Sequence, residues 1–164
     1  MMKEEKSKNE TLVSHLINLL DKENAHVSFE KALKDIPFDL LGKKPNGLPY
    51  SIWQLAEHVR ISQFDILEFS RNPEYKSPEW PEGYWPAETK PKSEDEWNKC
   101  LQQIKKDGDS FIELLKNNPD KLYEPFMYGE GQTLLREALV LADHNSYHTG
   151  EIIVLRRLLN NWGK

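Results

Sequence analysis

The chain has 164 residues, a net charge of −5, 38% hydrophobic residues and 30% charged residues. That length fits one domain with a core large enough to stand without disulfides, and the composition is that of a folded chain, not a disordered one. Its acidic balance, with basic residues scattered and no basic block, argues against a nucleic-acid-binding surface. The single cysteine, Cys100, cannot form an internal disulfide, which fits a reducing cytoplasm; it reads as a buried small apolar residue. The opening "MMKEEKSKNE" lacks the apolar stretch of a signal peptide, and no apolar run approaches a membrane span. A cytoplasmic protein without a membrane partner is expected.

Taken in chain order, residues 1–8 are expected to be a flexible N-terminus and 9–164 a single domain. Ser7 and Glu10 have the spacing of a capping box, which opens a first helix. Leu12, Leu16, Leu19 and Leu20 give it an apolar face as far as Asp21–Asn24. Ser28 caps a short amphipathic piece, and "GKKPNGLP" breaks the pattern. Ser51 and Gln54 form a second capping box. From there Ile52, Leu55, Val59, Ser62, Ile66 and Phe69 step by three and four to about Arg71. Residues 72–92 hold five prolines together with Tyr75, Trp80, Tyr84 and Trp85. Proline suits neither helix nor central strand, and the aromatics need burial, so an ordered loop laid over the domain is expected. Ser93 and Glu96 suggest a third capping box before a helix to about Asn117. Within it Gly108 costs roughly 1 kcal/mol against alanine and could mark a close helix contact or a bend. A loop with a short hairpin at Gly129–Gly131 follows, then Thr133 caps a last helix over about 134–160. Four long helices without a strand set predict an all-α domain, a four-helix bundle with long connecting loops.

Five histidines punctuate this pattern. His15 reads as a surface residue, and His26 as a loop hydrogen-bonding group or a group near a pocket. His144 and His148, in "DHNSYHTG", lie four residues apart on the core side of the last helix, so both imidazoles share one face. The spacing suits one metal ion, although two separately satisfied histidines are the commoner outcome. His58 borders the core stripe of another helix and could supply a third ligand. Three imidazoles with no fourth protein ligand leave positions for water or substrate, as in catalytic sites. Glu57 and Glu151 face other directions, where either could accept a proton; Arg156–Arg157 could bind an anion or simply end a helix.

The stretches "LPYSIWQLAEHVRISQFDILEF", "SPEWPEGYWP" and "QTLLREALVLADHNSYHTGEIIVLRRLLNNW" resemble the DinB/YfiT-like superfamily and run in its order from about residue 25 onward. The resemblance implies a four-helix bundle, often a homodimer, with a divalent metal on three histidines. By position these are His58 in "AEH" and His144 and His148 in "DHNSYH". Zinc or nickel is the implied metal, and a low-molecular-weight thiol is a possible co-substrate. Three readings follow: a metal-dependent transferase using such a thiol, a metal-dependent hydrolase, or a non-catalytic metal-binding stress-response protein. Either enzyme would act on a small molecule. Trp80, Tyr84 and Trp85 are candidate pocket walls; Glu57, Glu151 and His26 are candidate catalytic groups.

Overall fold

The computed structural model describes residues 7–45 and 47–163; the first six residues of the expected flexible N-terminus fall outside that range. Ser7 and Glu10 exchange the two expected hydrogen bonds, so α1 spans Lys8–Asp21 and begins inside the stretch expected to be flexible. A short α2 covers Phe29–Leu33, α3 Ile52–Arg71, α4 Glu94–Asn117 and α5 Leu134–Leu158. No strand occurs among the described residues; one antiparallel bridge, Pro125 to Thr133, closes the loop where a hairpin was expected. The expected box at Ser93 is only half formed. Ser93 caps the Glu96 N–H, while the Glu96 carboxylate turns to the Lys92 N–H instead of returning to Ser93.

The bundle follows from where the apolar faces lie. α3 packs on both α4 and α5, and α1 packs on the same two helices from the other side. Two apolar clusters result. One joins Ile52, Leu55 and Ala56 to Trp97, Cys100, Ile104, Ile152 and Leu155; the other joins Val13, Leu16, Ile66 and Leu67 to Phe111, Leu115, Leu134 and Leu141. The first halves of α3 and α4 share one cluster and their second halves the other, so these neighbours run in the same direction. Leu19 escapes the first helix's apolar face and is 51% exposed.

Parallel neighbours cannot be joined by a short turn. A 20-residue helix is about 30 Å long, and the connection must climb back over that length. Residues 72–92 do this along α3. Tyr75 packs on Phe64, the Tyr84 carbonyl meets His58, and the Thr89 carbonyl accepts from Ser51 at the start of α3, at 2.6 Å. The Pro/aromatic segment is thus an ordered strap, as its composition suggested.

Gly108 makes no close helix contact. A Cβ there would meet only Gln63 Nε2, at 3.6 Å, beside a cleft of about 420 Å³ between α1, α2 and α4. Replacing Gly108 with alanine is expected to raise stability by about 1 kcal/mol through helix propensity. Ser51 is fully buried and both caps α3 and ties the strap, so Ser51→Ala is expected to cost about 2 kcal/mol, from a lost cap and an unpaired Thr89 carbonyl. Urea unfolding of the two variants beside the parent protein measures both effects.

Candidate metal centre

Ser51 caps the start of α3, and the buried apolar face sets the rotation of the helix. With Leu55 and Val59 fully buried, His58 must also turn inward, and it is 4% exposed. On α5 the same argument runs through Leu141 and Ile152, both buried, which bring His144 and His148 to the α3 side. The three rings converge, with one nitrogen from each lying within 4.8 Å of the others.

Hydrogen bonding decides which nitrogens face inward. His58 Nδ1 lies 2.9 Å from the Tyr84 carbonyl, which can only accept, so Nδ1 carries the proton and Nε2 keeps its lone pair. His148 Nδ1 lies 2.7 Å from Glu151 Oε2, so that ring likewise donates from Nδ1 and leaves Nε2 free. Tyr50 donates its hydroxyl to the other Glu151 oxygen, and its own pKa is pushed up to about 12 by that bond. A carboxylate behind a histidine in this way orients the ring and raises its basicity as a ligand.

His144 Nε2 stands 3.1 Å from His58 Nε2. In the neutral state it must donate there, because His58 Nε2 has no proton to give. Burial, then the neighbouring His148 and His58 rings, depress the His144 pKa to about 4. Burial also lowers that of His58, against the opposing pull of its bond to the Tyr84 carbonyl. His58 and His144 are therefore held toward a neutral, lone-pair-bearing state, the form in which histidine binds a divalent metal.

Aromatic rings frame the cluster. Trp85 stacks on His58 at 4.0 Å and 3°, and Tyr50 stacks on the far face of this arrangement, 6.1 Å from Trp85. The exposed Tyr147 ring sits edge-on to His148 at 5.0 Å.

The match to known families now has a geometry to rest on: residues 23–152 match the DinB superfamily. The chain belongs to the DinB superfamily. No curated protein and no solved structure matches it. Within this DinB fold the other expected site residues are distributed unevenly. Trp85 and the Tyr84 backbone lie at the cluster. The Tyr84 hydroxyl turns away to Asp65 at 2.8 Å, and Trp80 is 69% exposed. Glu151 backs His148, whereas Glu57 is held by both nitrogens of an Arg60 fork at 2.9 Å. His26 is exposed and bridges the Val27 carbonyl and the Ser146 hydroxyl. Arg156 is buried under Trp162 and holds the carbonyls of Ala32, Lys34 and Asn161, so it ends the helix and stitches loops. Cys100 is buried, and burial pushes its thiol pKa far up, away from nucleophilic use. Tyr50 was not foreseen; it precedes a cap residue in a loop, and no spacing rule links it to Glu151, 101 positions away.

The signs of the histidine shifts fix a pH dependence. Both folded pKa values lie below the ordinary 6.5, so between about pH 4 and 6.5 the unfolded chain binds more protons than the folded one. Metal-free protein is expected to lose stability as pH falls through that window, and His144→Leu to lose less. Melting temperatures of both proteins at matched pH steps provide the check; parallel curves would contradict it.

Proposed function

We propose that His58, His144 and His148 bind a divalent metal ion and that the protein is a metal-dependent transferase using a low-molecular-weight thiol. The convergence of three imidazoles, with the outer nitrogens already satisfied at His58 and His148, carries the metal part of this reading. Neutral histidines leave the ion its full positive charge, and three protein ligands leave coordination positions open. A divalent cation bound there supplies thiolate formation at neutral pH, by lowering the pKa of a coordinated thiol.

The protein's own groups favour thiol over water as the activated species. Hydrolysis calls for a base beside the centre. Each foreseen candidate is engaged: Glu151 with His148 and Tyr50, Glu57 with Arg60, and His26 with Ser146. A thiol is the easier of the two to deprotonate on the ion, because its pKa when free is about 8.5, against about 15.7 for water.

We also infer a homodimer. Val140, Tyr147, Val154 and Leu158 stand exposed along the outer face of α5, the first three at seven-residue spacing, where a second copy of the helix could cover them.

Tag-free protein expressed with zinc or nickel is expected to carry close to one ion per chain, and His144→Ala much less. With metal bound, bacillithiol, mycothiol or glutathione should be consumed with an electrophile such as an alkyl halide. Equal, near-zero metal in both proteins would remove the centre. Metal without thiol turnover, together with ester or amide hydrolysis, would shift the assignment to the hydrolase.

A further inference from the structure

Five of the twelve large apolar side chains exposed among the described residues stand on α5: Leu139, Val140, Tyr147, Val154 and Leu158. With 3.6 residues per turn they fall within an arc of about 100° on one side of the helix. Gly150 lies on that same side, between Tyr147 and Val154. It is exposed, and a Cβ placed there would meet nothing within 4 Å. No packing within the chain calls for a glycine at this point, and a glycine weakens a helix interior relative to alanine. Ser146, bonded to the exposed His26, bounds the strip on its other side.

Asp143 and Arg157 add charge to the strip. Each lies seven residues from Gly150, one before it and one after, so both project within about 20° of its direction. Both are exposed, and neither has a salt-bridge partner among the described residues. These charges make the strip self-complementary in one direction only. Two copies of α5 packed in parallel would set Asp143 against Asp143 and Arg157 against Arg157. Packed antiparallel about Gly150, they set Asp143 of each copy against Arg157 of the other. The two glycines then meet at the crossing, where the missing Cβ lets the helices approach closely.

We propose that two copies of this chain pair through antiparallel α5 helices that cross at Gly150, with Asp143 and Arg157 forming reciprocal ion pairs on either side of the two-fold axis. This rests on the homodimer inferred above and gives it a geometry. A two-fold pairing uses the same patch on both copies and closes on itself, so assembly stops at the dimer. The pairing also covers Tyr147, whose ring is edge-on to His148 at 5.0 Å and 63% exposed in the single chain. The histidine cluster of each copy therefore borders the interface, and the second copy walls its Tyr147 side.

Sedimentation of the full chain over a concentration series tests this, with a chelator present so that no metal ion links chains. Asp143→Arg and Arg157→Asp each set like charges against one another at two places. Each is expected to raise the dimer dissociation constant about tenfold or more. The double exchange Asp143→Arg/Arg157→Asp restores opposite charges and is expected to return to within about threefold of wild type. Gly150→Gln wedges the crossing and is expected to weaken the dimer by about tenfold or more, while its dilute monomer melts no lower than that of wild type. A dimer indifferent to the single exchanges or to Gly150→Gln uses another face, which overturns this proposal and leaves the homodimer standing. A double exchange as weak as the single ones overturns the antiparallel pairing. Wild type that stays monomeric at every concentration removes the homodimer and this proposal with it.

Discussion

Everything at this site depends on one constraint: three imidazoles are packed into the seam between α3 and α5, His58 and His148 buried and His144 half-buried, and each ring has two nitrogens to satisfy. A buried polar group without a partner costs on the order of 1–3 kcal/mol, so the seam is affordable only with acceptors behind the rings. His58 finds the Tyr84 carbonyl and His148 finds Glu151. Both partners demand a proton on Nδ1 and so turn two lone pairs toward the same point. The inward chemistry of the cluster is set from outside it.

The strap between α3 and α4 is part of the site for the same reason. Parallel α3 and α4 oblige the chain to return along the whole of α3, and that return lays Tyr84 and Trp85 over His58. Its far end is anchored by the buried Ser51, the residue that also starts α3. One serine therefore both starts the helix that presents His58 and ties down the loop that orients its ring. Tyr50, its neighbour, stacks on Trp85 and holds Glu151, which links this corner to α5.

Between the two apolar clusters runs a polar layer of Gln63, Asn145 and the histidines. Its members come from the midpoints of α3 and α5, and the Ile104 carbonyl of α4 accepts from Gln63, which in turn accepts from Asn145. Gly108 stands where this layer meets the cleft, with only Gln63 of α3 within reach of a Cβ placed there. A layer of this kind weakens the core locally while holding the helices in a single register.

Periodicity and capping were legible before any coordinates. Ser7, Ser51, Ser93 and Thr133 each cap a helix, and the apolar steps along α3, α4 and α5 named the buried faces and with them His58, His144 and His148. These signals are local, because a helix repeats every 3.6 residues and its ends need capping groups nearby in the chain. What lies behind the rings was not legible. Tyr50 with Glu151, Tyr84 with His58 and Gln63 with Asn145 are pairs separated by 26 to 101 positions. Glu57 shows the converse: adjacent to His58 in sequence, it is 100° away around the helix and belongs to Arg60. The sequence by itself determined which residues could be ligands, because face and phase are properties of one helix. Only the tertiary structure decided which nitrogen each ring presents, because that depends on partners brought from other helices and from the strap.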